Sequence, residues 1–337
     1  MGKQRGDTER AQPYAPGLRE QALEAEADRA RVDLVRQIAA RGAFDGDTVW
    51  QEIFASVPRH LFVPWYYIGV VGGYERLWGE DPDPERRLSW VRGAYTDGPL
   101  ATRIRDGELL SSSSQPSLMA RMLTDLRVRD GDRVLEIGAG TGYNAALLAA
   151  RVGEDRVTTV DLDPEITESA RSHLAAAGWA PAVVTGDGFL GCPPRAPFDR
   201  IIATCTLASI PGPWLQQCAP GARILAPLST GLIALDVQGP TQAEGRFLET
   251  SAFFVPLRGT ARPDRELVLS GLPPRVLGDD GFRFLATLSA GALDPEEALA
   301  VWEAEGAPRR ERFGITVYGD RQWAWLDDPE GAYRWQL

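Results

Sequence analysis

Histidine is scarce in this 337-residue chain, with only His60 and His173. A Ser-His-Asp hydrolase or a histidine-rich metal centre would have to be built from that pair. Neither stands in a recognisable motif, so both are read as surface or structural residues and no metal site is expected. Cysteine is sparse as well. Cys192, Cys205 and Cys218 form an odd set without CxxC spacing, which suggests neither a disulfide framework nor a zinc site. No apolar run approaches membrane-spanning length. The opening Met1-Gly2-Lys3-Gln4-Arg5-Gly6 lacks the apolar core of a secretory signal, and Gly6 replaces the Ser or Thr that myristoylation prefers. A cytoplasmic protein without a membrane partner is the expectation. Positive charge is in deficit, 36 Lys and Arg against 47 Asp and Glu, for a formal charge of −11. That argues against non-specific nucleic-acid binding, which needs a cationic surface to displace counterions. The simplest role of the excess is solubility.

What is present is an ordinary soluble composition, 44% apolar and 25% charged, long enough for one or two domains. A polar start with Pro13 and Pro16 precedes helix formers from Leu18 to Arg41, where Leu23, Val32, Leu34, Val35 and Ile38 give an approximate helical stripe. A short helix is predicted over Asp47–Ser56 with Asp47 as its cap. Residues 79–88 read as a polar loop, because Pro and Asp alternate there. The middle of the chain alternates strand and helix: strands at Arg133–Ile137, Arg156–Val160, Ala182–Thr185, Phe198–Ala203 and Ala222–Ala226, with helices at Asn144–Arg151 and Pro164–Ala177. This rhythm predicts a doubly wound, mostly parallel sheet. Gly231–Val237 and Arg246–Val255 suggest an antiparallel edge. After about residue 258 the texture changes, through Arg262-Pro263-Asp264-Arg265, a capped acidic helix at Asp294–Ala304 and a hairpin around Gly319-Asp320-Arg321. The division expected is a helical N-terminal region with an insertion (1–99), a catalytic core (100–258) and an appended extension or small domain (259–337).

Four features carry chemistry. Val134-Leu135-Glu136-Ile137 runs into Gly138, Gly140 and Gly142, an apolar strand followed by alternate glycines and a helix. Glycines there permit φ > 0 and close approach of a ligand to the backbone. A dinucleotide fingerprint would place its third glycine one position later. At the end of the next strand, Asp161 could accept both hydroxyls of a ribose, whereas Asp163 precedes Pro164 and reads as a helix cap. Gly186-Asp187-Gly188 is ordinary turn chemistry alone, and gains value from following the first two features at this spacing; its carboxylate could accept from an adenine amino group. Upstream, the run Ser111-Ser112-Ser113-Ser114-Gln115-Pro116 opens directly into an apolar helix at Leu118–Leu126, with Pro116 suited to a first turn. Hydroxyls at a helix N-terminus suit carboxylate binding.

Together with Val57-Pro58-Arg59-His60-Leu61-Phe62-Val63-Pro64, Tyr95-Thr96-Asp97 and Ala196-Pro197-Phe198-Asp199-Arg200-Ile201, these segments resemble protein-L-isoaspartate O-methyltransferases in order and spacing over residues 45–257. The resemblance implies a Rossmann-like class I methyltransferase fold using S-adenosyl-L-methionine, with S-adenosyl-L-homocysteine as product. It implies cofactor contacts at Glu136, whose charge would face the cationic methionine end, and at Gly138, Gly140, Gly142, Asp161, Asp187 and Gly188. Ser114, with Ser113, Gln115 and Pro116 beside it, would meet the substrate carboxylate. Three departures stand out: a run of four serines in place of a single one, an insertion at 68–92, and some eighty residues beyond the core. They resemble the family's variants associated with ribosomally made, cyclised peptides, so the expected partner is a modified precursor peptide. Repair of isoaspartyl residues in damaged proteins is the alternative.

The chemistry agrees with the scarcity of histidine. A carboxylate, with an ordinary pKa near 4, is already ionised at neutral pH and needs no general base. Catalysis would rest on alignment in a dry pocket, where effective molarities reach about 10⁵ M or more. A methyl ester so formed can be attacked by the next backbone nitrogen, lose methanol and close a succinimide. Two other classes compete: a nicotinamide-dependent oxidoreductase, which the glycine spacing disfavours, and a cofactor-binding module without catalysis, which Ser114-Gln115-Pro116 disfavours.

Overall fold

The computed structural model describes residues 16–105, 107–259 and 272–337. The polar start through Pro13 and the Arg262-Pro263-Asp264-Arg265 segment lie outside the described residues.

The chain begins with helix α1 (Pro16–Ala40), which buries Ala27, Leu34, Val35 and Ile38; Val32, counted in the sequence stripe, faces outward. In α2 (Thr48–Ser56) the Asp47 carboxylate accepts from Val49 N and Trp50 N, as its position before the helix predicts. A 3₁₀ turn at Arg59–Phe62 leads into strands β1 (Trp65–Val70) and β2 (Gly73–Trp78) and helix α3 (Pro84–Ala94). Part of the 79–88 loop predicted from Pro-Asp alternation is therefore helical. Asp83 accepts from Glu85 N and Pro84 takes the first helical position, so the same residues that look like breakers act as a helix start. Strands β3 (Leu100–Arg105) and β4 (Glu108–Ser113) complete a four-stranded antiparallel sheet ordered β2-β1-β3-β4. The sequence insertion is knitted in: Trp90 Nε1 donates to Val63 O at 2.8 Å and the Tyr66 hydroxyl to Trp90 O at 3.0 Å. Ser111–Ser113 end β4, and α4 (Pro116–Leu126) starts after Ser114 and Gln115.

The second sheet runs through β5 (Val134–Ile137), α5 (Tyr143–Val152), β6 (Val157–Asp161), α6 (Pro164–Ala176), β7 (Ala182–Thr185), β8 (Phe198–Ala203), α7 (Gly212–Gln216), β9 (Cys218–Leu228), β10 (Gly231–Gly239) and β11 (Gln242–Ser251). Helices α8 (Pro274–Leu277), α9 (Asp280–Leu288) and α10 (Pro295–Ala304) precede β12 (Phe313–Tyr318), β13 (Arg321–Leu326) and β14 (Arg334–Gln336). The ten strands are ordered β14-β13-β12-β11-β10-β9-β8-β5-β6-β7. The β7-β6-β5-β8-β9 half is parallel and the rest antiparallel, so parallel pairing covers less of the sheet than the βα rhythm predicts.

Residues 272–337 thus form no sheet of their own; β12 pairs with β11 and continues the central one. Sequence texture leaves open an extension or a small domain, because the hairpin around Gly319-Asp320-Arg321 is a local feature. The strand that this hairpin joins lies far upstream and leaves no local mark.

Neighbouring residues of one strand enter opposite cores, as the two-residue period of a strand requires. Ile202 and Leu225 face the side of α1, α2, α4 and α5, whereas Ile201 and Ile224 face α7, α9 and α10. Phe282, Phe284 and Leu285 of α9 are fully buried on that second face. Among the described residues no helix is long and apolar enough to cross a membrane.

Candidate active site

Strand order reverses around β5, which has β6 on one side and β8 on the other. In open α/β sheets such a switch point leaves a crevice beyond the carboxyl ends of the strands. Here the crevice is a cavity of about 890 Å³, in the range for small-molecule sites. Its floor is the glycine loop. Gly138 N donates to Val160 O at 2.8 Å and Thr204 N to Ile137 O at 2.9 Å, so the turns after β5, β6 and β8 are tied together. Gly138 has φ 99°, and a Cβ there would lie 2.6 Å from Thr204 Oγ1, so only glycine fits.

Glu136 lines this cavity although it is 1% exposed. Its Oε1 accepts from Asn144 Nδ2 at 2.7 Å. Burial pushes its carboxyl up to about 7, with Thr159 and Asn144 working against the rise and the nearby Asp161 adding to it. Asn144 Oδ1, on a residue lining the cavity, has no partner among the described residues. Asp161 ends β6; its Oδ2 accepts from Gly140 N at 3.4 Å, and its Oδ1 accepts from Asp163 N at 3.3 Å and lies 3.5 Å from Arg258 Nη2. Asp163 caps α6 through Glu165 N, as its place before Pro164 predicts.

The opposite wall holds Ser111–Ser114, Gln115, Ser117 and Leu118, where β4 meets α4. Arg59 organises it. Entirely buried, it donates from Nη1 to Ala94 O (2.7 Å) and Thr96 O (3.1 Å), and from Nη2 to Gly98 O (3.3 Å), Ser113 Oγ (3.3 Å) and Ser114 O (3.2 Å). Burial lowers its pKa to about 10, so it stays charged at neutral pH. The Ser113 hydroxyl is thereby engaged, whereas Ser114 gives Arg59 its carbonyl. Asp97 Oδ1 accepts from Ser117 N at 2.9 Å at the start of α4, and its other oxygen pairs with Arg41 at 2.9 Å.

Of the residues singled out in the sequence, Ser113, Ser114, Gln115, Glu136, Gly138, Gly140, Asp161 and Gly188 converge on this cavity. Three stand elsewhere. Gly142, at φ 85°, lets α5 approach α6: a Cβ there would lie 3.1 Å from Ala170 O. Pro116 is buried in the first turn of α4. Asp187 accepts from Phe189 N at 2.9 Å and lies close against Gly259, so it caps a 3₁₀ turn. Arg59 and Asp97 carry the wall; both lie in segments that carry the family resemblance, but the sequence alone assigns neither a role. The available signal is a charged residue in front of the apolar Leu61-Phe62-Val63. His60 is buried and bonded to the Tyr95 hydroxyl at 2.8 Å, and burial lowers its pKa to about 4, so it is structural. Among the described residues no cluster could hold a metal ion.

The family model for protein-L-isoaspartate (D-aspartate) O-methyltransferase matches residues 87–261, just over half the chain. The chain belongs to this family. Among curated relatives, a protein-L-isoaspartate O-methyltransferase of Methanoculleus marisnigri is 38% identical over 237 residues, 68% of this chain and 92% of its own length. One from Aeropyrum pernix is 35% identical, over 72% of this chain and 84% of its own. A solved protein-L-isoaspartate O-methyltransferase aligns with a TM-score of 0.59 at 23% identity over 91% of this chain and 99% of its own. A Plasmodium falciparum structure, described as such an enzyme in complex with S-adenosyl-L-homocysteine, aligns at 0.51 and 14% identity over 68% and 98%. The last two establish the class I methyltransferase fold.

The protein is accordingly an S-adenosylmethionine-dependent carboxyl O-methyltransferase, and the nicotinamide alternative falls. The cavity suits that cofactor: two glycines at positive φ, a buried glutamate for a cationic group, an orphaned amide oxygen and a strand-end aspartate surround space enough for it.

Proposed function

We propose that the acceptor is the free α-carboxylate of an isoaspartyl residue in a protein or peptide, the substrate in the relatives' names. The observation that supports it is the Arg59-anchored wall, which sets Ser113, Ser114 and the α4 N-terminus on the cavity that holds Glu136, Gly138, Gly140 and Asp161. When bound, S-adenosylmethionine would supply a methyl group from a sulfonium that would keep the C–S electron pair, so the acceptor carboxylate would need no proton transfer. Glu136 and Asp161 bind and orient that cofactor. The Ser114 hydroxyl offers a donor to the acceptor carboxylate, whereas at the start of α4 Pro116 has no N–H and Ser117 N is taken by Asp97. The apolar walls, among them Leu118, Phe254 and Leu257, exclude water.

Labelled methyl transferred to an isoaspartyl peptide and to its aspartyl twin tests this. The expected result is transfer to the first, with Ser114→Ala lowering kcat and leaving cofactor affinity near that of the parent. Full activity of Ser114→Ala at saturating peptide would move the role to Ser113 or the backbone.

A second reading takes an aspartyl residue in a ring-constrained, modified precursor peptide. The elements after residue 258 extend the central sheet through β12 and so do not by themselves favour it. What favours it is the β1–β2 hairpin, which displays exposed Val70, Val71 and Tyr74 on the sheet that carries the serines. Preference for a cyclised aspartyl peptide over the isoaspartyl one in the same assay would select it.

A further inference from the structure

The acceptor brings a negative charge into a cavity whose walls already hold Glu136 and Asp161. Among the described residues, three arginines line that cavity: Arg41, Arg121 and Arg258. Two are committed. Arg41 pairs with Asp97 at 2.9 Å and Arg121 with Asp125 at 2.8 Å, and neither acid lines the cavity. Arg258 differs, because its partner is Asp161 at a loose 3.5 Å.

Asp161 is also the group assigned to the ribose hydroxyls. A carboxylate offers about four acceptor positions. Gly140 N takes one on Oδ2, and Asp163 N shares Oδ1 with Arg258. Two ribose hydroxyls must therefore compete with Arg258 for Asp161.

The backbone carrying Arg258 is anchored, and its side chain is partly exposed. Thr206 N donates to Val255 O and Leu257 N to Thr206 O, both at 2.9 Å, and the Thr206 hydroxyl donates to Phe254 O at 3.0 Å. Directly afterwards, Gly259 turns at φ 106° against the Asp187 carboxylate, where a Cβ would lie 2.6 Å from Oδ1. The Arg258 side chain beyond these anchors is 38% exposed.

We propose that Arg258 is a specificity-determining residue for the acceptor: seating the cofactor ribose on Asp161 releases its guanidinium, which then pairs with the carboxylate of the incoming peptide. This rests on the carboxylate-acceptor reading above. It makes binding ordered, cofactor first, because before that the cation is held on Asp161.

The test uses the full chain and the variants Arg258→Met, which keeps the stem, and Arg258→Lys, which keeps the charge. With an isoaspartyl peptide as acceptor at saturating S-adenosylmethionine, Arg258→Met should raise KM roughly tenfold to a hundredfold, the worth of a charge-assisted hydrogen bond, with kcat within a few-fold. Arg258→Lys should recover part of that loss. By calorimetry, S-adenosylhomocysteine should bind Arg258→Met at least as tightly as the parent, since a competitor for Asp161 is gone. It should also tighten peptide binding in the parent and not in Arg258→Met. An unchanged KM, or S-adenosylhomocysteine binding weakened more than fivefold, overturns the proposal and leaves Arg258 as a prop for Asp161. If Arg258→Met fails to fold, Arg258→Lys decides: its planar-to-compact change must still raise KM. Failure of the parent to methylate any peptide would strike the acceptor reading instead, while the S-adenosylhomocysteine titration still judges the competition at Asp161.

Discussion

Replacing Arg59 by methionine should damage the protein more than any substitution in the cavity wall itself. The guanidinium is fully buried and acts as a two-ended staple: one nitrogen holds Ala94 and Thr96, the other Gly98, Ser113 and Ser114. Each buried acceptor left without a donor costs about 1–3 kcal/mol. The losses share one relaxing segment and do not add in full, so the expected total is about 3–5 kcal/mol, typical of a broken buried charge site. Against a folding free energy on the order of 5–15 kcal/mol, that shifts the urea midpoint clearly. Arg59→Lys isolates the positioning role. An ammonium keeps the charge but lacks the planar fork that reaches both segments. It should fold, bind S-adenosylhomocysteine with the parent's affinity, and lose about 100-fold in kcat, since displacement of about 1 Å at reacting groups costs that much. Urea unfolding, calorimetry and turnover at saturating peptide give the three readouts. A methionine variant with the parent's midpoint, or a lysine variant with the parent's kcat, would refute the reasoning.

Other expectations follow from the same geometry. Glu136 has a folded pKa of about 7, above its ordinary 4.5, so the folded protein without cofactor binds the extra proton and should lose stability as pH rises from about 4.5 to about 7. The upper bound is about 3 kcal/mol at 1.36 kcal/mol per unit; Glu136→Gln should flatten that slope in urea titrations, and an unchanged slope would assign it to another group. Asp161→Ala should weaken cofactor binding by about 1.5–3 kcal/mol in calorimetry; equal affinity would remove Asp161 from the site. A chain ending at Arg258 should fail to unfold cooperatively, because it uncovers the β11 edge and strips Phe282, Phe284 and Leu285 from one core face. A soluble, cofactor-binding fragment of that length would show the C-terminal elements to be dispensable.

Much of this protein is legible in its sequence, because local signals carry it. Asp47, Asp163 and Asp294 announce helix starts through their own backbone hydrogen bonds, and all three cap where expected. The apolar strand before Gly138 and the carboxylate ending the next strand are spacing facts, and spacing survives folding. Tertiary structure decided what depends on partners distant in sequence. Asp187 reads as a ligand by spacing, and only the fold shows that its Oδ1 also caps a 3₁₀ turn through Phe189 N. Gly142 reads as part of a ligand loop, yet the α6 backbone claims the space at its Cβ. The residues after 258 read as an extension or a small domain, and only the fold shows β12 pairing with β11. Arg59 shows the limit most clearly: five of the groups it holds lie 35 to 55 residues away, and a side chain's donors carry no trace in sequence of which carbonyls folding will bring to them.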